Sequence, residues 1–283
     1  MSNWTLKPFC ELKGIGAASG LVVDQGYLYI VSDHSSYLYQ YDIKAKQLNK
    51  TALVESAQDI TPKKDKFDLE SVVKKDNSLY LFGSGSTLHR EQLFQYKITD
   101  HHIQVDDLSS LYQSFRQLAK LNDDELNIEG VIYNEQRWLF FQRGNGLSAQ
   151  NGIFILHSEQ LDHSASIEFI PFQLPFINHV LASFTDAIMV DQQIYFLAAV
   201  EDTTSTYDDG NVLGSFIGCL DLAQQQIKYI EQITDTHKFE GLAFYQQTSE
   251  ELIFLLCEDN DSDELSTTIY QLNFNVPLIK TTN

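Results

Sequence analysis

The stretch NIEGVIYNEQRWLFF, Asn127 to Phe141, contains two apolar β-strand patterns separated by a short polar turn. A carboxylate and a glycine, Glu129 and Gly130, stand at the start of the first pattern. Four other segments follow the same plan, in which a polar residue precedes an apolar strand, a turn and a second strand rich in aromatic and β-branched residues. These segments begin at Ser19, Glu70, Thr185 and Glu240. The chain therefore contains five copies of an internal repeat.

The spacing of this repeat indicates the architecture. Successive units begin 51, 59, 56 and 55 residues apart, the differences between positions 19, 70, 129, 185 and 240. Such a period suits a four-stranded propeller blade, whose repeats run to roughly 40–50 residues. The last unit lacks a fourth strand, and the unassigned N-terminal segment WTLKPFCEL (4–12) would complete it. We predict an all-β fold, a five-bladed β-propeller, formed by residues 1–283 as a single domain.

One segment departs from the strand pattern. LSSLYQSFRQLAKL, Leu108 to Leu121, has its apolar residues at helical spacing. It predicts one short helix inserted before the third blade.

The charge composition of the chain argues against some classes of binding partner. Asp plus Glu number 39 against 19 Lys plus Arg, which gives a formal charge of −20. This field repels nucleic acid and anionic membranes. The start MSNWTLKPFC lacks the features of a signal peptide, and no run of about 18 apolar residues occurs. We predict a cytoplasmic monomer whose three cysteines, Cys10, Cys219 and Cys257, are unpaired core residues.

The first residues of the five units predict a cation site. The first strand of each propeller blade lines the central channel, so these residues would form a ring at one mouth: Ser19, Glu70, Glu129, Thr185 and Glu240. Three converging carboxylates repel one another unless a cation lies between them. An all-oxygen shell without His or Cys favours Ca²⁺, with Mg²⁺ second, over zinc. The alternative is that each Glu binds loop amides, or that a water cluster fills the channel, without metal.

The loops that follow the second strands would surround this ring and supply further polar residues. Arg90 and Arg143 suit a bidentate clamp on a substrate anion, or else pair with nearby acids. Among the acids, Asp33 and Glu201 are candidates to position a water for attack. The other candidate bases are His34, Asp202, Asp259 and Asp261. Each of these residues is alternatively a turn former or a solvated loop charge.

The ring residues resemble a known family. In the calcium-activated nucleotidases, or apyrases, a five-bladed propeller holds a central calcium with one residue per blade, in the order Ser, Glu, Glu, Ser, Glu. The present order is the same with Thr185 for the second Ser, and the phrases FEGLAF and NIEGV are similar to inner-strand motifs of that family. The chain also resembles a bacterial propeller group without established activity, through LNIEG, RGN, VEDT and GSFIG. The resemblance covers the repeat plan and the ring, and it implies a calcium held by the ring residues.

These observations favour a calcium-dependent hydrolase that acts on a small anionic substrate, a phosphoester or phosphoanhydride. Two other functions fit the same residues. One is a non-catalytic propeller that binds a ligand or partner and uses its metal only for structure. The other is a propeller that binds or cleaves glycosides with three central carboxylates.

Overall fold

The strands of the computed structural model, which describes residues 4–203, 210–259 and 264–275, group into five four-stranded antiparallel sheets and one two-stranded hairpin. Each sheet is one blade, and the inner strands of successive blades contact one another around a closed ring. The prediction of a five-bladed β-propeller is confirmed.

The first half of the chain forms an N-terminal strand, two blades and a helix. The N-terminal strand is β1 (Trp4–Lys13). The strands of blade one are β2 (Ala18–Asp24), β3 (Tyr27–Ser32), β4 (Tyr37–Asp42) and β5 (Gln47–Ala52). The strands of blade two are β6 (Leu69–Lys75), β7 (Ser78–Gly83), β8 (Gln92–Lys97) and β9 (Ile103–Asp107). The helix α1 (Ser109–Ala119) follows, in the predicted place.

The second half forms three blades. The strands of blade three are β10 (Ile128–Asn134), β11 (Arg137–Gln142), β12 (Gly152–Leu156) and β13 (Ile167–Pro171). A hairpin of β14 (Phe176–Ile177) and β15 (Val180–Leu181) precedes blade four. The strands of blade four are β16 (Ser183–Val190), β17 (Gln193–Asp202), β18 (Asn211–Asp221) and β19 (Gln226–Thr234). Those of blade five are β20 (Phe239–Gln247), β21 (Glu251–Glu258) and β22 (Ser266–Asn275).

The N-terminal strand closes the ring. β1 pairs antiparallel with β22, from Trp4 opposite Phe274 to Lys13 opposite Ser266, and is the outermost strand of blade five. The prediction that the N-terminal segment completes the last blade is therefore correct.

Aromatic side chains fill the spaces between blades. Phe184 on β16 contacts Phe141 of blade three edge to face, with ring centroids 5.4 Å apart, and Phe196 of its own blade at 5.1 Å. All three side chains are fully buried. Burial of one such side chain contributes about 1.5–3 kcal/mol, so the inter-blade layers stabilise the ring.

Helix α1 supports a loop at one end of the propeller. Phe115 on its buried face stacks on Phe154 of blade three, with centroids 4.4 Å apart. The Tyr112 hydroxyl donates to the carbonyl of Gly83 at 2.8 Å, and the Arg116 guanidinium donates to that of Gly85. The helix thus fixes the segment between β7 and β8, which carries Arg90.

The sequence analysis did not predict the β14–β15 hairpin. Its turn residues, Asn178 and His179, have φ angles of 49° and 71°, the left-handed values of a tight hairpin turn. Ile177, Val180 and Leu181 of the hairpin pack against the core between blades three and four. An Asn-His pair is a weaker sequence signal for a tight hairpin turn than Asn-Gly, which explains why this hairpin was not predicted.

The cysteines are unpaired, as predicted. Cys219 and Cys257 are buried, whereas Cys10 on β1 is only half-buried. Within the described residues, no helix is both long enough and apolar enough to cross a membrane.

Candidate functional site

The five ring residues occupy one structural position. In every blade, the pairing of the inner strand with the second strand skips a single residue near the start of the inner strand. The skipped residues are Ser19, Glu70, Glu129, Thr185 and Glu240. A bulge of this kind leaves one residue outside the ladder and changes the direction of its side chain. All five residues are buried, with exposed fractions of 0 to 7%.

The two hydroxyl residues of the ring connect neighbouring blades. The Ser19 hydroxyl donates a hydrogen bond to the carbonyl of Leu69 on blade two. The Thr185 hydroxyl donates to the carbonyl of Phe239 on blade five at 2.7 Å. Each oxygen retains acceptor capacity, because a hydroxyl donates one bond and accepts up to two.

The glycines after the ring residues allow close packing at the axis. A Cβ atom on Gly20 would lie 2.8 Å from the carbonyl oxygen of Glu70, and one on Gly130 would lie 2.8 Å from the amide nitrogen of Ala187. Real Cβ atoms do not approach backbone so closely. These glycines therefore allow the inner strands to approach one another closely.

The other blades carry a polar side chain at this second position. Ser71 accepts a hydrogen bond from the Val131 amide of blade three at 2.9 Å. Asp186 accepts one from the Leu242 amide of blade five at 2.7 Å. Both side chains therefore join adjacent inner strands.

Arg143 lies among three carboxylates from three blades. Its Nη1 is 3.1 Å from Glu129 Oε1 and 3.5 Å from Glu240 Oε1, and its Nη2 is 2.7 Å from Glu201 Oε2. Burial opposes the charge of the guanidinium, but these carboxylates raise the pKa of Arg143 well above its ordinary value. The side chain is a fixed buried cation.

Lys238 has the corresponding role in blade five. Its Nζ lies 3.1 Å from Glu240 Oε1 and 3.2 Å from Asp259 Oδ2. Burial disfavours the ammonium, but these two carboxylates raise the pKa of Lys238 well above its ordinary value. One half of the mouth thus contains two buried cations, Arg143 and Lys238.

The other half is organised around Asp68. Its Oδ1 lies 2.9 Å from Lys66 Nζ, and its Oδ2 lies 2.7 Å from Arg90 Nη1. Lys66 Nζ also pairs with Asp33 Oδ2. Burial raises the pKa of the Asp68 carboxyl, but Lys66 and Arg90 outweigh burial and lower it overall.

Glu70 differs from the other carboxylates of the mouth. In the described part of the chain, no cation and no hydrogen-bond donor contacts its carboxylate within bonding distance. One of its oxygens lies within 4.8 Å of carboxylate oxygens of Asp33 and Asp68. Burial, followed by the charge of Glu129, raises the pKa of Glu70 well above its ordinary value. The ionised form of Glu70 therefore needs a cation that the described side chains do not supply.

Two buried oxygens near Glu70 lack hydrogen-bond partners. They are Asp33 Oδ1 and Glu129 Oε2. Buried polar atoms are nearly always hydrogen-bonded, so these two carboxylate oxygens at the mouth require an explanation. Oxygen atoms from carboxylates form the type of shell that a hard divalent cation prefers. The residues present thus fit such a cation.

The charge balance of the mouth supports the same conclusion. Among the described residues, seven buried carboxylates face four buried cations. The carboxylates are Asp33, Asp68, Glu70, Glu129, Glu201, Glu240 and Asp259. The cations are Lys66, Arg90, Arg143 and Lys238. Several uncompensated negative charges cannot remain buried together, so protons or a bound cation must neutralise them.

The structure brings the predicted loop residues together at the mouth. Arg90, Arg143, Asp33 and Glu201 are all buried there and all form ion pairs with side chains of the mouth. Clamping of a substrate anion by either arginine remains a prediction, and it would require the guanidinium to leave its carboxylate partners.

The remaining predicted bases have different positions. His34 Nε2 lies 3.6 Å from Asp33 Oδ1, and Asp259 pairs with Lys238. Asp202 is exposed. Asp261 and most of the acidic turn DNDSDE (259–264) lie outside the described residues.

Lys66, Asp68 and Lys238 were not among the predicted site residues. A signal for them exists in the sequence, because Lys-Phe stands shortly before the ring residue in both KFDLE (66–70) and KFEG (238–241). Their partners are distant in sequence, so only the fold shows that these lysines point into the mouth.

Comparison with known sequences places the chain in a family. Residues 14–274 match the sequence profile described as Family of unknown function (DUF6929). The chain belongs to this family. The match begins before β2 and ends within β22, so it covers blades one to four and the three inner strands of blade five, but not the closing strand β1. No curated protein matches the sequence significantly.

Solved structures similar to the DUF6929 chain share its fold. The Malassezia sympodialis allergen Mala s 1 is 9% identical over 92% of this chain and 94% of its own, with a TM-score of 0.60. Myxococcus xanthus glutaminyl cyclase is 10% identical over 96% and 97%, with a TM-score of 0.57. Regucalcin from Agrobacterium tumefaciens is 8% identical over 93% and 92%, with a TM-score of 0.49. At these identities the likeness to the first two structures concerns the fold alone.

Proposed function

We propose that the mouth of the propeller binds Ca²⁺ and catalyses hydrolysis of a small anionic substrate. The observation that carries the proposal is the buried Glu70 carboxylate, which no described cation contacts, together with Asp33 Oδ1 and Glu129 Oε2, which lack hydrogen-bond partners. The donors are all oxygen, which favours a hard cation over zinc. Regular Ca²⁺ coordination takes about six to eight oxygens, so waters would complete the shell and leave positions for substrate.

The ligand assignment follows from which oxygens are unoccupied. Glu70 and Glu129 Oε2 are proposed as the protein ligands from the ring. Glu240 is held by Lys238 and Arg143 and would act as their counter-ion. The hydroxyls of Ser19 and Thr185 donate to backbone carbonyls and offer only their remaining lone pairs toward the channel.

Catalytic roles can be proposed for the other residues of the mouth. A bound Ca²⁺ would polarise a phosphoryl or acyl oxygen and stabilise the charge that develops there. Asp33, whose Oδ2 is held by Lys66 and whose Oδ1 is unpartnered, would orient the attacking water and accept its proton. Both oxygens of Glu201 are occupied, by Arg143 and by the Gly210 amide, so its proposed role is to position Arg143.

The two arginines act as fixed counter-ions in this proposal. Arg90 donates to Asp68 at 2.7 Å and to Ser86 at 2.8 Å, and it is buried. Removal of Arg90 or Arg143 from its carboxylates would leave buried charges unpaired, which is costly. Attraction of an anionic substrate would therefore depend on the cation.

The experiment combines metal binding and turnover. Protein treated with EDTA is titrated calorimetrically with Ca²⁺ and with Mg²⁺, then assayed on p-nitrophenyl phosphate, a phosphodiester and nucleoside di- and triphosphates. The nucleotides test the apyrase resemblance. We expect Ca²⁺ binding and Ca²⁺-dependent release of product, both lost in Glu70→Gln. The exposed Glu168 provides a matched control, since Glu168→Gln should change neither. Absence of Ca²⁺ binding by the wild-type protein would contradict the proposal.

A different result would support the alternatives. Ca²⁺ binding that stabilises the protein without turnover on any of these substrates indicates a structural metal in a binding module. The raised pKa of Glu70, caused by burial and then by Glu129, also suits a general acid in a glycosidase. Cleavage of aryl glycosides that is insensitive to EDTA would indicate that function.

A further inference from the structure

A cavity lies in the central channel, at the end opposite the charged mouth. Its volume is about 250 Å³, and residues from the inner strands of all five blades line it. One lining residue from each blade, in chain order, is Val22, Val72, Ile132, Ile188 and Phe244. Pockets for drug-sized ligands usually measure about 300–1,000 Å³, so this cavity suits a smaller, monocyclic molecule.

One buried carboxylate, that of Asp186, lines this apolar cavity. Asp186 accepts hydrogen bonds from the amides of Ala187 and Leu242, both at 2.7 Å. Within the described ranges, no lysine, arginine or histidine forms an ion pair with it. Lys74, the cation in the lining, is paired with Asp24. A buried carboxylate without a cation is energetically unfavourable unless a proton or a positively charged ligand neutralises it.

The structural role of Asp186 does not require a carboxylate. At the equivalent position of blade two, the neutral hydroxyl of Ser71 accepts the same kind of inter-blade hydrogen bond, from the Val131 amide. The other three blades have glycine there. The negative charge is therefore additional to what packing of the inner strands needs.

An aromatic side chain at the rim supplies a second feature of the cavity. Phe244 is 37% exposed and belongs to none of the hydrophobic clusters between the blades. The strand pairing is irregular between Phe244 and Gln246, and such a bulge redirects a side chain. A large apolar residue that lines a cavity without contributing to the core is available to contact a ligand.

We propose that this far-side cavity binds a small organic cation, a protonated amine on an apolar body. Asp186 would pair with the ammonium group, and Phe244 would contact the apolar body and the charge through its ring face. The net charge of −20 attracts cations over long range. An anion would be repelled by Asp186, and a neutral apolar molecule would leave its carboxylate without a counter-charge.

Three monocyclic probes of similar size and different charge test this site. The full-length protein is titrated with benzylamine, benzyl alcohol and benzoate, and binding is followed by calorimetry and by ligand-observed NMR. We expect benzylamine to bind at least about tenfold more tightly than benzyl alcohol and benzoate not to bind. In Asp186→Asn the preference for the amine over the alcohol should disappear.

Further variants test the location independently of Asp186. Phe244→Ala should weaken benzylamine binding several-fold and leave the fold intact, because Phe244 lies outside the core. Phe176→Ala removes another exposed aromatic residue, 55% exposed, and should change nothing. Glu70→Gln should also leave benzylamine binding unchanged, which separates this site from the mouth.

Three results would overturn the proposal. The first is equal affinity of the wild-type protein for benzylamine and benzyl alcohol, or no binding of the amine. The second is benzylamine binding that Phe244→Ala leaves unchanged. The third is loss of binding in Glu70→Gln, which would place the amine at the mouth. If Asp186→Asn does not fold, the charge series on the wild-type protein and Phe244→Ala still decide the question.

Discussion

Arg143 of blade three donates to Glu201 of blade four across 2.7 Å, and the same guanidinium reaches the ring carboxylates Glu129 and Glu240. One side chain therefore links three blades near the axis. Because all four groups are buried, loss of the cation would leave three carboxylates without this partner. Stability and the geometry of the mouth consequently depend on the same residue.

The first prediction concerns this cation. Arg143→Met, which retains much of the apolar stem, should lower the free energy of unfolding by about 3–5 kcal/mol, the range for an uncompensated buried charge. Urea unfolding followed by tryptophan fluorescence measures the change. Arg137→Met is the control, since its pair with Glu135 at 3.2 Å is partly exposed and worth about 1 kcal/mol or less. Similar losses of unfolding free energy in both variants would contradict the role of Arg143 in linking the three blades.

The second prediction concerns metal removal. At about one hundred times its dissociation constant, a ligand stabilises the folded state by about 2.7 kcal/mol, which raises Tm by roughly 4–5 °C in a chain of this size. We expect that rise when Ca²⁺ is added to EDTA-treated protein in a thermal scan. Glu129→Gln should abolish this rise in Tm, because the change replaces one carboxylate oxygen with an amide nitrogen and removes the negative charge that would bind the cation. A rise of equal size with Mg²⁺ would argue against selectivity for calcium.

The third prediction concerns packing at the axis. Gly130→Ala should destabilise the protein by about 1–3 kcal/mol, because its Cβ would lie 2.8 Å from the Ala187 amide nitrogen and force the inner strands apart. The displaced strand carries Glu129, so the Ca²⁺-induced rise in Tm should also shrink. Gly26→Ala is the matched control: its φ of 84° makes alanine unfavourable, but its Cβ would meet open space. That variant should lose stability and keep the full response to calcium.

The fourth prediction concerns the cysteines. Burial, followed by the charges of Asp186 and Glu240, raises the pKa of the Cys257 thiol well above its ordinary value, and burial also raises that of Cys219. Thiolates are the reactive form, so neither should react in the native protein. A disulfide reagent such as DTNB should modify at most Cys10 under native conditions and all three residues in guanidinium. Rapid modification of native Cys10→Ser would show that the buried thiols are accessible.

Periodicity was sufficient to predict the blades and the ring positions. Each blade repeats a polar residue before an apolar strand, and Glu70, Glu129 and Glu240 occupy that position because the bulge recurs at the same point in the repeat. The closing strand followed from a count of strands. These features are local or repeated, so one sequence contains enough information to predict them.

The charge pairing of the mouth could not be predicted in the same way. Lys66 pairs with Asp33 and Asp68, and Arg143 pairs with Glu201 of the next blade. These contacts depend on how each blade is rotated about the central axis and on the path of each loop. Asp186 was similarly hidden, because only the fold shows that a residue adjacent to the ring lines a cavity on the opposite side. Long-range contacts of this kind require the three-dimensional arrangement.

The pairing of β1 with β22 has a consequence for biosynthesis. During translation β1 must wait for β22, because this hydrogen-bonding partner, which ends at Asn275, is made only after blades one to four. Until then β1 has no partner strand, and its open edge is able to pair with another chain. Ring closure therefore requires that β22 has been made, because in a chain that stops before β22 the strand β1 has no partner to pair with.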